Sequence, residues 1–309
     1  MITTVTLNPA IDKTCTLTSL RPGTVNRMES VKNLAGGKGI NVTKVLRQYD
    51  YPVSALGFLG GYTGRFIEEY VERIGAECCF THIAGETRTS INVLAQDGYV
   101  TELLEPGAVI SEEELAAFYE TFERNIEDSE LIIMSGSVPA GVPVSVYKEL
   151  IQRAAKKGKR VMLDTGGDFL KEGVSALPFM IKPNLKELEV LAGRKIKDRE
   201  DALHAALHFH MLGIPHVMVS MGEKGLLYVT EQKAYFASVP KIKAVNTVGC
   251  GDSAVAAFAM GILSEKAPVE VLKWCAAISA ANAMTLESAV IPKENAEELV
   301  ADIRVEKLV

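Results

Sequence analysis

The chain has 309 residues, of which 48% are hydrophobic and 23% are charged, a composition typical of a globular protein with a large buried core. Its formal net charge of -6 disfavours non-specific binding to nucleic acid or to an anionic membrane. The five cysteines include no Cys-x-x-Cys pair and predict neither a disulfide framework nor a zinc knuckle. Since the N-terminus lacks signal-peptide features and no apolar run is long enough to span a bilayer, we expect a cytoplasmic protein.

The first segment, Ile2 to Leu7, alternates threonine with apolar residues and predicts a strand that ends at an Asn-Pro pair. Asn8 and Asp12 then follow a strand end, which is where open parallel sheets collect their ligands. An Asx-turn explains Asn8 more simply. Residues 13–34 show no helical stripe and predict short strands outside the main sheet. Arg27 lies among them and has the simpler interpretation of a solvated strand residue.

A glycine-rich turn, Ala-Gly-Gly-Lys-Gly-Ile-Asn-Val, occupies residues 35–42. Its glycines let the backbone approach a ligand closely, and a lysine and an asparagine supply donors as a helix begins. The spacing differs from that of a Walker P-loop, which has a longer span between its glycines and ends in Lys-Ser/Thr. The candidate residues here are Gly36, Gly37, Lys38 and Asn41.

Strand and helix patterns alternate from residue 53 to residue 83, which predicts a parallel sheet with right-handed crossovers. Two extended runs around an Asp-Gly turn interrupt this order and predict a hairpin. We assign segments 13–34 and 86–105 to a small sheet that projects as a lid. Arg88 opens the hairpin, where an arginine can bind a phosphate bidentately, although most arginines at strand ends are simply solvated.

The alternation continues in the second half of the chain. Ser111 and Glu114 predict a capping box at the start of an acidic helix. Ser137 follows the next buried strand, and a turn cap is its simplest interpretation. Asn184 and Glu187 are three residues apart at another helix start, a spacing that fits either a capping box or a hydrated magnesium site.

The most informative stretch is Asn246-Thr-Val-Gly-Cys-Gly-Asp-Ser253, which runs into a segment that is apolar on every face and predicts a buried helix. The first turn of a helix has unpaired amides and partial positive charge, so an anion can bind there. Asp252 would lie beside that anion, where a carboxylate can accept the proton of an incoming hydroxyl. A simple helix cap is the alternative interpretation of this aspartate.

The two glycine loops, in this order, resemble the two signatures of the PfkB group of ribokinase-like carbohydrate kinases. The segment Thr6-Leu-Asn-Pro-Ala-Ile-Asp-Lys13 is similar to the opening of the 1-phosphofructokinase and tagatose-6-phosphate kinase group of that family. Cys250 departs from the pattern, which has alanine there. The resemblance covers nearly the whole chain and implies one kinase domain, residues 1–309, with an α/β fold: a ribokinase-like αβα sandwich with a mostly parallel central sheet and a small β-sheet lid.

The resemblance also implies a role for each candidate residue. Asp252 would be the catalytic base, and the amides of Gly249, Cys250 and Gly251 would surround the transferred phosphoryl group. The sugar phosphate would be bound by Asn8, Asp12, Arg27, Gly36, Gly37, Lys38, Asn41, Arg88 and Ser137. The nucleotide would be bound by Asn184, Ser220, Gly222, Gly225 and Asn282, and Glu187 would act on Mg²⁺ through water.

The implied reaction is phosphorylation of a ketohexose phosphate, with ATP and Mg²⁺ as cofactors. Fructose 1-phosphate, giving fructose 1,6-bisphosphate, is the expected acceptor because it is the commoner activity behind this signature. Tagatose 6-phosphate is the alternative, since a ketofuranose carries CH₂OH arms at both ends. A non-catalytic sensor and a kinase for an unphosphorylated sugar or nucleoside stay open, although Arg88 argues against a neutral acceptor. The lid sheet could pair with another copy to give a homodimer.

Overall fold

The computed structural model describes residues 1–231 and 233–309, and within these residues eleven strands form one large sheet and four form a smaller one. The strands are β1 (Ile2–Thr6), β2 (Ala10–Leu17), β3 (Ser30–Gly36), β4 (Val53–Leu59), β5 (Glu77–Cys78), β6 (Thr81–His82), β7 (Arg88–Ala95), β8 (Val100–Leu104), β9 (Leu131–Ser135), β10 (Arg160–Asp164), β11 (Met180–Ile181), β12 (His216–Ser220), β13 (Leu226–Thr230), β14 (Lys233–Ser238) and β15 (Arg304–Lys307).

Ten α-helices are present in the described part of the chain. They are α1 (Lys38–Gln48), α2 (Gly61–Arg73), α3 (Glu112–Asn125), α4 (Val146–Lys156), α5 (Gly167–Val174), α6 (Leu185–Ala192), α7 (Arg199–Met211), α8 (Cys250–Leu263), α9 (Pro268–Ala283) and α10 (Lys293–Asp302). Within the described ranges, no helix is both long enough and apolar enough to cross a membrane.

The large sheet has the strand order β15-β14-β13-β12-β11-β10-β9-β1-β4-β5, and β6 also pairs with β4. The pairs from β12 through β5 are parallel, whereas β13, β14 and β15 are antiparallel additions at one edge. Because the carboxyl ends of parallel strands meet at one edge of a sheet, the residues after β1, β9, β10, β11 and β12 converge there. This convergence positions the candidate site.

Helices cover both faces of the large sheet. Successive strand residues point to opposite faces, so Leu131 and Ile133 of β9 join the core formed with α1, α2, α8, α9 and α10, while Ile132 and Met134 join the core formed with α3 to α7. A strand buried on both faces is mostly apolar, and β9 is buried along its whole length with Ser135 as its one polar residue. The predicted αβα sandwich with a mostly parallel sheet is confirmed.

The smaller sheet has the order β3-β2-β7-β8. The predicted hairpin is present as β7 and β8, and β2 pairs in parallel with β7 and antiparallel with β3. The prediction placed Asp12 in the turn after the first strand, whereas it lies inside β2. The reason is that β2 starts at Ala10, as soon as the chain has passed Pro9, so the small sheet begins earlier than residue 13.

Four further elements differ from the sequence prediction. The strand expected up to Ile83 is split into the short strands β5 and β6, both paired with β4. The helices α5 and α10 and the edge strand β15 were not predicted. Strand β15 pairs with β14, so a contact between segments more than 60 residues apart in sequence decides its conformation.

Candidate active site

The N-terminus of α8 is the centre of the site. Gly249 is the N-cap residue, with a φ of 83° that favours glycine, and no side chain caps the helix. The amide of Cys250 donates to the Thr247 carbonyl at 3.3 Å, whereas the described residues provide no acceptor for the amides of Gly251 and Asp252. The free donors of this turn are therefore Gly251 and Asp252, so the Cys250 amide that the resemblance assigned to the anion is already engaged. This geometry is suited to binding an anion.

Asp252 lies in the first turn of α8 and is 5% exposed. Its side chain does not cap the helix, so that alternative interpretation is wrong. Its Oδ2 accepts a hydrogen bond of 2.8 Å from Nδ2 of Asn41 on α1. Burial raises the pKa of Asp252 to about 6, against the opposing effects of Lys38, Lys182 and the Asn41 hydrogen bond. A carboxylate with such a pKa is well suited to accept a proton near neutral pH.

The first glycine loop brings α1 close to β1 and β2. Gly37 is the N-cap residue of α1, with a φ of 100°. A Cβ at Gly36 would lie 2.1 Å from the Asp12 carboxylate, and one at Gly39 would lie 2.2 Å from Oγ1 of Thr6. Only glycine permits these approaches, so the loop places the Asp12 carboxylate against the backbone that leads into α1.

Two lysines and a second buried aspartate complete the charged centre. Asp164, 2% exposed at the end of β10, pairs through Oδ1 with Lys38 at 3.1 Å and with Lys182 at 3.4 Å. Burial would raise the pKa of Asp164, but Lys182 and Lys38 hold it below its usual value. A Cβ at Gly251 would lie 3.2 Å from Nζ of Lys182, so this ammonium lies beside the free amides of α8.

Sequence reasoning identified Lys38 and missed Asp164 and Lys182. Asp164 is the last residue of the buried parallel strand β10, and Lys182 directly follows the buried parallel strand β11, so both lie at the edge where ligands are expected. A charged residue at the carboxyl end of each buried strand was the signal that could have identified them.

The side chains expected to bind the sugar phosphate meet at the ends of β1 and β9. Nδ2 of Asn8 donates to Oγ of Ser137 at 3.3 Å, and Nε of Arg88 donates to the Asn8 carbonyl at 3.2 Å. Burial raises the pKa of Asp12, against the attraction of Lys44 and Arg88. Four of the expected residues therefore form one group: Asn8, Asp12, Arg88 and Ser137. In this group the Arg88 guanidinium lies beside side chains that can bind hydroxyls.

Arg27 is not part of this group. It lies in the exposed connection between β2 and β3, and the structure shows no hydrogen bond or ion pair between it and the other described residues. The structure therefore does not place Arg27, the second expected cation, next to Arg88.

The residues expected to bind the nucleotide, apart from Asn282, lie together at the ends of β11 and β12. Asn184 and Glu187 form the capping box of α6, with hydrogen bonds of 3.0 and 2.8 Å, so the capping-box alternative is confirmed. Asn184 forms an isolated parallel β-bridge with Ser220. The turn after Ser220 contains Gly222 and Gly225, with φ values of 63° and 125°. These residues lie together close to Lys182, which is two positions before Asn184.

Asn282 is the exception. It is fully buried, and its Nδ2 donates to the Val248 carbonyl at 2.8 Å and to Sγ of Cys250 at 3.2 Å. Its Oδ1 accepts from the Ala289 amide at 2.6 Å. Because both amide hydrogens are used inside the protein, the expected contact of Asn282 with the adenine is not supported. This side chain instead holds the turn that precedes α8.

Oxygen ligands for a magnesium ion are present next to the lysines. Oδ2 of Asp164 is buried and has no hydrogen-bond partner among the described residues, and Glu187 presents a second carboxylate across Gly166. Carboxylate oxygens fit Mg²⁺, which usually retains several waters and binds through one or two protein carboxylates plus phosphates. The described residues include no group of three or more His, Cys, Asp or Glu side chains that could hold a metal ion.

The αβα fold, a helix start suited to an anion and the buried carboxylate beside it are features expected of a phosphoryl-transfer enzyme, and comparison with known proteins gives its family. Residues 5–294 match the pfkB family carbohydrate kinases. The chain is 34% identical over 308 residues to the 1-phosphofructokinase of Bacillus subtilis, with 100% of each chain covered. It is 36% identical over 308 residues to the tagatose-6-phosphate kinase of Staphylococcus epidermidis, with 99% of each covered. The chain belongs to the pfkB carbohydrate kinase family.

Solved structures agree with this assignment. The phosphofructokinase-2 of Escherichia coli, solved in complex with potassium, superposes with a TM-score of 0.92 at 26% identity, over 97% of this chain and 98% of that chain.

Replacing Asn282 with alanine tests its structural role. We expect Asn282→Ala to lower the free energy of unfolding by about 2 to 4 kcal/mol, because it leaves buried donors and acceptors unpaired. Urea unfolding measures this loss. Asn33→Ala, at an exposed position of β3 where the side chain has no hydrogen bond to another described residue, is the matched control and should change stability by less than about 0.5 kcal/mol. Equal effects of the two substitutions would contradict the assignment.

Proposed function

We propose that this protein transfers the γ-phosphoryl group of ATP to the free primary hydroxyl of a ketohexose phosphate. The observation that carries the proposal is the pairing of a buried carboxylate, Asp252, with free amides at the start of the same helix. The Bacillus subtilis and Staphylococcus epidermidis relatives of this protein are named as kinases of ketohexose phosphates. A sensor would have no need for a buried carboxylate with a pKa of about 6 at that position.

Asp252 accepts the proton of the attacking hydroxyl. Its Oδ2 is engaged by Asn41, which leaves Oδ1 for the substrate. The amides of Gly251 and Asp252 stabilise the charge that develops on the transferred phosphoryl group. The Lys182 ammonium lies next to these amides and adds positive charge at the same point.

The acceptor lies between Asp252 and the group at the ends of β1 and β9. Arg88 binds the phosphate that the sugar already carries, since its guanidinium retains donors beyond the two that bind the carbonyls of Asn8 and Glu105. Asp12 and Asn8 bind the sugar hydroxyls. Fructose 1-phosphate is the proposed acceptor. Tagatose 6-phosphate is the alternative, because the relative named for it is as similar to this chain as the 1-phosphofructokinase is.

ATP binds along the turn that contains Ser220, Gly222 and Gly225, with its phosphates toward Lys182. Glu187, through water, and the unpaired Oδ2 of Asp164 would hold Mg²⁺. When bound, the ion neutralises charge on the nucleotide phosphates. The protein residues orient the nucleotide and keep the γ-phosphate in line with the acceptor hydroxyl.

The small sheet acts as a lid that excludes water, which would otherwise compete as the acceptor. It also exposes apolar side chains: Val31, Val100, Leu103 and Leu104 are 53% to 63% exposed. Val31 and Leu103 lie on one face of this sheet and Val100 and Leu104 on the other, and β8 is an edge strand. An edge strand with exposed apolar side chains is suited to contact with a second copy, so we propose a homodimer through the lid. The E. coli phosphofructokinase-2 has been solved in a tetrameric inhibited form.

Replacing Asp252 with alanine tests the proposed base. We expect Asp252→Ala to lower kcat for fructose 1-phosphate by about 1,000-fold or more while binding of fructose 1-phosphate, measured by calorimetry, is retained. Asp128→Ala replaces an exposed aspartate in the turn after α3. It is the control and should keep kcat unchanged. Near-normal turnover of Asp252→Ala would refute the proposed mechanism.

The pH dependence of kcat gives an independent test. Asp252 must be ionised to accept a proton, and its pKa is about 6, so kcat should fall about tenfold per pH unit below pH 6. Lys38 lowers this pKa, so Lys38→Met should shift the acid limb of the profile to higher pH. An acid limb near pH 4, or one that Lys38→Met leaves in place, would contradict Asp252 as the titrating base.

A further inference from the structure

Lys44 is buried in the same region without an evident structural reason. It lies one turn after Asn41 on α1 and is 3% exposed. Its Nζ donates one hydrogen bond, of 3.1 Å, to Oδ1 of Asn41, and among the described residues it has no carboxylate at ion-pair distance. An ammonium has three hydrogens to donate, so burial with one acceptor is costly. A residue that needed only to fill this space would be apolar.

The charged and titratable groups around Lys44 come from four elements. Asp12 faces it from β2, Asp252 from α8, Glu287 from the segment after α9, and the ring of Tyr70 on α2 lies 5.6 Å from Nζ. Burial lowers the pKa of Lys44 to about 8, against the attraction of the three carboxylates. Lys44 is therefore charged over the range in which Asp252 ionises.

The chemistry of Asn41 links Lys44 to Asp252. The two ends of an asparagine amide have nearly the same shape, so packing alone does not decide which end faces which neighbour. A lysine ammonium only donates, and an ionised carboxylate only accepts. With Lys44 on one side, the Asn41 oxygen must face the lysine and its NH₂ group must face Asp252.

We propose that Lys44 is a positioning residue, which fixes the orientation of the Asn41 amide and thereby keeps a hydrogen-bond donor on Oδ2 of Asp252. This inference rests on the proposed role of Asp252 as the base. The donor favours the ionised carboxylate and leaves Oδ1 for the substrate hydroxyl. Without the ammonium, Asn41 can rotate and place its oxygen against the carboxylate, which disfavours the ionised form.

A double-mutant cycle between Lys44 and Asn41 tests the proposal. With fructose 1-phosphate and MgATP at saturation, we expect Lys44→Met to lower kcat about 10-fold to 100-fold and to move the acid limb of the pH profile upward. Lys44→Arg, which keeps a charged donor, should retain kcat within about fivefold. In an Asn41→Ala background, Lys44→Met should change kcat by less than about twofold, because the residue through which it acts is gone.

Lys156→Met removes an exposed lysine of α4 and should leave kcat unchanged. If Lys44 acts on Asp252 by direct attraction instead, Lys44→Met will keep its full effect in the Asn41→Ala background, and the proposal is overturned. A kcat and acid limb of Lys44→Met like those of the wild type would also overturn it. If Lys44→Met does not fold, Lys44→Gln replaces it in the cycle, with the same expectation.

A readout without turnover separates this inference from the proposed function. The pKa of the Asp252 carboxyl can be followed by NMR of ¹³C-labelled aspartate, assigned through Asp252→Asn. It should rise in Lys44→Met and stay at the wild-type value in Lys44→Arg, and the rise should vanish in the Asn41→Ala background. A wild-type protein that phosphorylates no ketohexose phosphate would refute the proposed function, whereas the titration would still decide the role of Lys44.

Discussion

The hydrogen bond from Asn41 to Asp252 joins the two helices on which the site depends. Helix α1 follows the first glycine loop and α8 follows the second, and both are buried against the same face of the large sheet. The Asp252 carboxylate lies next to free amides that attract anions. It can act as a base only if its own protonation state is controlled. The bond to Asn41 holds one of its oxygens, and the buried core around α8 prevents the helix from moving away.

Burial raises the pKa of Asp252, and the distribution of the surrounding charges leaves most of that effect in place. Lys38 and Lys182 both pair with Asp164, and no ammonium in the described residues is at ion-pair distance from Asp252. If either lysine paired with Asp252 directly, the attraction would lower the pKa of this carboxyl and make it a weaker base. Asp164 therefore has a second effect: it holds two cations where the phosphates are expected and keeps them from neutralising the base.

The buried charges of the site lower the stability of the folded protein. Burying carboxylates and ammonium groups is unfavourable even when they are paired, and the compensating apolar burial comes from the two cores on either side of the sheet. Asn282 shows the same principle in a neutral side chain, since its buried amide hydrogens hold Val248 and Cys250 at the start of α8 and its oxygen holds the Ala289 amide. The site is rigid because buried polar groups have few alternative partners.

Local sequence patterns predicted the parts of the molecule that local chemistry decides. The glycine loops, the capping boxes at Ser111 and Asn184, and the aspartate at the start of a buried helix all depend on residues a few positions apart. The pairing of Asp164 with Lys38 and Lys182 depends on the register of β9, β10 and β11, which no short pattern encodes. The position of Asp12 within β2 and the burial of Asn282 likewise depend on contacts with distant segments.

The most direct test of the account is ADP release from MgATP with fructose 1-phosphate, tagatose 6-phosphate, fructose 6-phosphate and unphosphorylated fructose, compared by kcat/KM. The account predicts that fructose 1-phosphate gives the highest value and that unphosphorylated fructose is a poor acceptor, because Arg88 then has no phosphate to bind. A preference for tagatose 6-phosphate would change the sugar and keep the mechanism. Preferential turnover of the unphosphorylated sugar, or no turnover with any of the four, would contradict the proposed function.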